Sequence, residues 1–265
     1  MNHKGTLYIC IILLLCFVGA VQASENTEAI YDQGVMLFES ERYSEALEAF
    51  NKLIELDPQN ADAWNYRGWS LWRMDRNVEA LEACNKALEI DPNHVSAWTN
   101  RGVALFLLGR YDDALESFDR AVGIDPKYAN AWNNRGYALF LLGRYADALE
   151  SLDRAVEIDP EDAEGWLNRG LTLGELGRYA EALESFDRAV GIDPNDAFTW
   201  NKRRILLEDH GDTILLQRII SNWPFLIVII ALIFISIRSI YLRIKENKDK
   251  FADIERQKQL QKDKR

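Results

Sequence analysis

The chain has 265 residues, of which 48% are hydrophobic and 28% charged, with a net charge of −11. That apolar share excludes wholesale disorder, and the acidic balance disfavours nucleic acid as a partner. Of three cysteines, Cys10 and Cys16 fall in an apolar N-terminal run, so Cys84 has no mate for a disulfide elsewhere in the chain.

The N-terminus reads as a secretory signal over 1–23. Lys4 precedes the apolar run Leu7–Val21, and Val21-Gln22-Ala23 places acceptable residues where a signal peptidase reads, with cleavage after Ala23. The run is short for a bilayer span, which needs about 20 apolar residues; an uncleaved anchor is the alternative. Cys16 is not a lipoprotein cysteine, because Leu13, Leu14 and Leu15 supply none of the small residues such a site uses.

A periodic region follows. Pro58, Pro92, Pro126, Pro160 and Pro194 are 34 residues apart, as are Trp64, Trp98, Trp132, Trp166 and Trp200. Gly34, Gly68, Gly102, Gly136 and Gly170 keep the same period, and so do Ala46, Ala80, Ala114, Ala148 and Ala182. Between Val95 and Tyr128 the pattern predicts one helix over Val95–Leu108 and another over Asp112–Ile124. Gly109 ends the first in a left-handed conformation, and Asp125-Pro126 stops the second. Trp98, Gly102 and Leu105 share a face of the first helix, and Ala114, Phe118 and Ala121 form its counterpart on the second. Gly102 leaves room for close approach. Cys84 takes the place held by Phe50, Phe118 and Phe186, which predicts a small core residue rather than a reactive thiol.

This 34-residue period resembles the tetratricopeptide repeat, a helix–turn–helix unit. The resemblance covers Thr27 to about His210 and implies an all-α solenoid of five hairpins, at 24–60, 61–94, 95–128, 129–162 and 163–196. A capping helix follows over 197–212, with His210-Gly211-Asp212 breaking it. The first hairpin has Ile30 in place of the tryptophan. One departure recurs: Arg67, Arg101, Arg135 and Arg169 stand where the family usually has leucine. Asp57, Asp91, Asp125 and Asp159 repeat with them, so the expectation is structural pairing within the stack.

The second apolar stretch predicts a transmembrane helix over 219–242, with Trp223 and Tyr241 at its ends. The tail 243–265 is basic, and from Arg238 onward there are ten Lys/Arg against five acids. That flank predicts a cytoplasmic C-terminus and an extracytoplasmic array in the cell membrane. Removing Lys4 and those tail charges from the total of −11 leaves the segment between the apolar stretches at −17. A surface so acidic favours basic or apolar partners over anionic ones.

In the resembled family the first helices line the inner face and contact ligands. By register the candidates are Asn65, Trp69, Trp72 and Arg73; Thr99, Val103, Phe106 and Leu107; Asn133, Tyr137, Phe140 and Leu141; and then Leu167, Leu171 and Glu175. The aromatics offer apolar contact, and the asparagines offer hydrogen bonds to a peptide backbone. Capture of a C-terminal carboxylate by lysines and arginine, known in the family, is disfavoured because Asn65, Thr99, Asn133 and Asn134 occupy those positions. Gly102–Pro126 and Gly136–Pro160 match at 21 of 25 positions, which leaves little repeat-specific recognition between them. His3, His94 and His210 are scattered, and no nucleotide loop or nucleophile motif occurs. The expected function is therefore a non-catalytic, cofactor-free protein scaffold, with self-association into a homo-oligomer as the alternative.

Overall fold

The computed structural model describes residues 27–222, 232–239 and 241, and among these every regular element is helical. The predicted signal and basic tail lie outside the described residues, as do 223–231, 240 and 242 of the predicted span. Among the described residues, no helix is long and apolar enough to cross a membrane.

The chain divides into two compact bodies, with the boundary between Arg203 and Arg204. The first contains α1 (27–39), α2 (Tyr43–Leu56), α3 (Ala61–Arg73), α4 (Asn77–Ile90) and α5 (Val95–Leu107). It continues through α6 (Tyr111–Ile124), α7 (Ala129–Leu141), α8 (Tyr145–Ile158), α9 (Ala163–Glu175) and α10 (Tyr179–Ile192), and ends inside α11 (Ala197–Asn222). Odd-numbered helices are the first of each repeat and even-numbered helices the second. The predicted helix pair between Val95 and Tyr128 is found with ends shifted by one residue.

The turns follow from backbone chemistry. Gly109, Gly143 and Gly177 have φ of 76°, 73° and 71°, the left-handed region that glycine enters without steric penalty. Glu41 and Asp75 take the same conformation in the first two repeats. At the other end of each hairpin, the tryptophan ring explains its fixed distance from proline. Trp98 Nε1 donates to Pro92 O at 2.8 Å, and Trp132 Nε1 to Pro126 O at 3.0 Å, with the same bond from Trp64, Trp166 and Trp200. These carbonyls would otherwise be left open where proline ends a helix.

Inside each hairpin a glycine meets one large or polarisable side chain. A Cβ on Gly68 would sit 2.7 Å from Cys84 Sγ, and one on Gly102 would overlap the Phe118 ring. Cys84 is fully buried, as expected of a core residue. Phe50, Phe118 and Leu152 fill the equivalent place in other repeats, with essentially no exposure. Burying each such side chain contributes about 1.5–3 kcal/mol.

The arginines pair within the stack, but with other partners than the expected aspartates. Arg101 Nε donates to Asn85, Arg135 to Asp119, Arg169 to Asp153 and Arg203 to Asp187, each acceptor belonging to the second helix of the preceding repeat. Through Nη1, Arg101, Arg135 and Arg169 also donate to Ser117, Ser151 and Ser185 in their own repeat. Arg67 reaches Asn51, and Ala83 stands where the serine would be. Asp57, Asp91, Asp125 and Asp159 instead accept backbone N–H groups two residues ahead, closing the turn before the next repeat. Position rather than length separates the two sets: these aspartates stand just before the proline, where the N–H two residues on is within reach and forms an Asx-turn.

In the second body, α11 departs from the expected cap. His210 is non-helical (φ −130°, ψ 15°), yet the helix resumes and runs to Asn222. The segment kinks at His210 rather than ending there.

Candidate protein-docking face

First helices of neighbouring repeats touch one another, α3 with α5, α5 with α7 and α7 with α9, whereas among the described residues no comparable contact joins neighbouring second helices. The side where helices lie closer is the inner side of a curved stack. That inner side is where the register placed the candidate residues.

Those residues divide into two groups. Asn65, Thr99 and Asn133 are buried, with Asn65 3% and Asn133 6% exposed. Asn65 Oδ1 accepts from Asn100 at 2.9 Å and Asn133 Oδ1 from Asn168 at 3.0 Å, while Thr99 donates to Val95 O. The two asparagines bind neighbouring repeats together, and the threonine turns back on its own helix, so none is available to a peptide backbone as expected. A buried amide needs its partners inside the protein, and here it finds them one repeat on.

Trp69 belongs with this structural group. Its ring lies 4.4 Å from that of Phe38 and stacks on Tyr66 at 5.8 Å, and its Nε1 is buried without a hydrogen-bond partner. Tyr31, one repeat earlier than Asn65, packs edge-on to Tyr66 at 5.8 Å; burial, then the nearby Tyr66, raises its phenol above the usual value. The first two repeats therefore use their aromatics as core.

The remaining candidates face outward to different degrees. Leu107 is 48%, Tyr137 37% and Leu141 49% exposed. Trp72, Val103, Phe106 and Phe140 are half-buried, and Arg73 is exposed. Phe106 and Tyr137 lie 5.7 Å apart, Tyr137 and Phe140 6.4 Å, forming an aromatic chain across α5 and α7. Tyr111 and Tyr145 extend it, each packed against its own repeat's phenylalanine at 5.2 and 5.6 Å. These two tyrosines, at the start of the second helices, lie outside the register-based candidates, although Tyr111, Tyr145 and Tyr179 recur at 34-residue spacing, with Tyr43 in the same register and Asn77 between. A contiguous aromatic and leucine surface binds through apolar area, with ring edges and faces giving orientation. Among the described residues no cluster of His, Cys, Asp or Glu is arranged to hold a metal.

Stacked helical hairpins joined by internal polar ladders define an α-solenoid. The sequence model described as tetratricopeptide repeat matches residues 31–95, 125–163 and 134–197, and a second model of the same description matches 95–128. The chain belongs to the tetratricopeptide repeat family. Solved structures with this fold include a thermophilic TPR protein of Thermus thermophilus, with 22% identity, 68% of this chain and 98% of that one covered, and a TM-score of 0.60. YrrB, a TPR protein with an unusual peptide-binding site, is 24% identical over 66% of this chain and 90% of its own, at a TM-score of 0.51. PilF of Pseudomonas aeruginosa is 19% identical, covering 77% and 94%, at a TM-score of 0.64. No curated protein sequence matches the chain.

Proposed function

We propose that this protein is a membrane-anchored, non-catalytic scaffold that docks a segment of another protein on the inner face of its array. The observation that carries the reading is the exposure of Leu107, Tyr137 and Leu141 beside Phe106 and Phe140, on the side of the stack its own second helices leave open. Apolar surface of this kind gains free energy when covered. The anchoring part rests on the apolar stretch 219–242 with its basic flank and on the N-terminal signal pattern; both favour an array outside the cytoplasm. Its acidic surface then favours a basic or apolar partner, and a position beside a membrane suits assembly of an envelope complex.

A second reading is favoured by one observation. At the end of the stack Phe198 and Trp200 are 53% and 45% exposed, although Trp64, Trp98, Trp132 and Trp166 are half-buried. An apolar end of this kind suits self-association of arrays.

Affinity capture of the full chain from detergent-solubilised membranes tests both readings when run beside a Leu107→Ser/Tyr137→Ser/Leu141→Ser variant. Proteins recovered by the wild type and lost by the variant support docking on the inner face. Recovery of the chain itself alone, unchanged in the variant, supports self-association. Protease accessibility in intact cells tests the topology: repeats digested only after permeabilisation would overturn it.

A further inference from the structure

One register position on the inner face differs from repeat to repeat in a directional way. The last residues of α3, α5, α7 and α9 are Arg73, Leu107, Leu141 and Glu175, all exposed. The row thus runs from a cation through two leucines to an anion. Helices α5 and α7 contain no acid, and their single bases, Arg101 and Arg135, are tied down within the stack. Within α5 and α7 themselves no free charge interrupts the leucines. Among the described residues neither Arg73 nor Glu175 forms an ion pair. Arg73 lies over the Tyr43 ring at 4.7 Å and near that of Trp72 at 5.9 Å, which holds the guanidinium in place while leaving its fork open.

We infer that this row is an oriented track for an amphipathic helix of a partner protein, carrying a carboxylate at one end, two apolar residues between, and a basic residue at the other. The inference rests on the inner face being a docking surface. Packed helices lie roughly 10 Å apart, so successive positions of the row are separated by about that distance. An extended peptide covers it in about three residues, which turns the third side chain to the opposite face. A helix covers it in about seven residues and brings the seventh back to the same face. The matching segment therefore has acid, apolar, apolar and basic residues at heptad spacing, over about 22 residues. Leucines on the ligand cover Leu107 and Leu141, and its neighbouring turns reach Phe106 and Phe140. The end charges choose which way it lies. Glu39, one repeat before Arg73 in the same register, limits the track by disfavouring further acids beyond it.

The experiment uses the full chain in detergent and two fluorescent helical peptides, identical except at one end: one with glutamate at its N-terminal end and lysine at its C-terminal end, the other with lysine at both. Binding is read by anisotropy at low salt, and peptide helicity is checked by circular dichroism. Wild type is expected to prefer the glutamate–lysine peptide by about threefold, a preference fading above roughly 0.5 M salt. Arg73→Glu should invert it toward the lysine–lysine peptide, and Glu175→Arg should weaken both by a similar factor. Binding that falls with Leu107→Ser/Leu141→Ser but ignores both charge reversals would overturn the track and leave the docking face standing. Failure of both peptides to bind wild type at roughly 0.1 mM would overturn the track as well. The docking face itself fails only if the capture experiment shows no dependence on the inner-face residues.

Discussion

Arg135 donates through Nε to Asp119, a residue of the repeat before its own, at 2.6 Å. The same side chain reaches Ser151 at 2.5 Å and covers the Trp132 ring at 5.8 Å, so one arginine links three helices. Arg135→Ala is expected to destabilise the array by about 1–2 kcal/mol, through the lost hydrogen bonds and packed stem. Asp119→Asn should cost well under about 1 kcal/mol, since the pair is partly exposed and an asparagine serves Arg101 in this way already. Urea denaturation of the two variants checks the order, and equal losses would refute it.

Gly102 and Phe118 form a second interdependent pair. Gly102→Ala places a methyl group inside the Phe118 ring envelope, and overpacking of this kind costs about 1–3 kcal/mol. Adding Phe118→Leu, which supplies the leucine that faces Gly136 in the next repeat, should recover little, because a Cβ on Gly136 would itself lie 2.5 Å from Leu152. Gly102→Ala/Phe118→Ala should recover more of the clash, at the cost of a large cavity. A double-mutant cycle measures the coupling.

Burial pushes the Cys84 thiol up to about 12, against a weaker opposing pull from Arg101. The unfolded thiol ionises from about pH 9, while the folded one stays neutral, so its contribution is complete below pH 9 and is lost as pH rises toward 12. Relative to a Cys84→Ala variant, wild type should lose about 2 kcal/mol between pH 9 and pH 11. A constant difference across that range would show the thiol to be accessible. In the native state Cys84 should resist alkylation at pH 8 and react on unfolding.

His94 joins two repeats by both ring nitrogens. Nδ1 accepts from Ala97 N at 3.3 Å, capping α5, and Nε2 meets Asp62 Oδ1 at 3.1 Å. The hydrogen bond from His94 holds the Asp62 carboxyl below its usual value. His94→Asn keeps a capping group, as Asn60 shows at α3, but removes the contact with Asp62. The Asp62 titration, followed by NMR, should then move up toward the ordinary carboxylate range. Since its folded value is the lower one, the stabilisation is present above the unfolded value and fades as pH falls through the folded value.

The repeat frame is readable in the sequence because its constraints are local and recur. Left-handed Gly109, helix-stopping Pro126 and the apolar face of Trp98, Gly102 and Leu105 each act within one hairpin. Partners one repeat away are harder to read. Asp125 and Asp119 share the same period with Arg135, and only the packing distinguishes an acceptor sixteen residues back from one that closes a turn. Likewise Asn133 and Tyr137 both fall on the first-helix face, four residues apart. One is buried in a bond to Asn168 and the other exposed, a difference of angle that spacing alone does not resolve. At His210-Gly211 the spacing suggests an end where the chain only kinks, because glycine after a helix permits either.

The arginine joints also differ in kind along the stack. Arg67 and Arg101 are held by the neutral amides of Asn51 and Asn85, whereas Arg135, Arg169 and Arg203 are held by carboxylates. Salt screens partly exposed ion pairs and leaves amide contacts largely untouched. Ionic strength therefore acts as a graded softener: it loosens the later joints and leaves the early ones stiff.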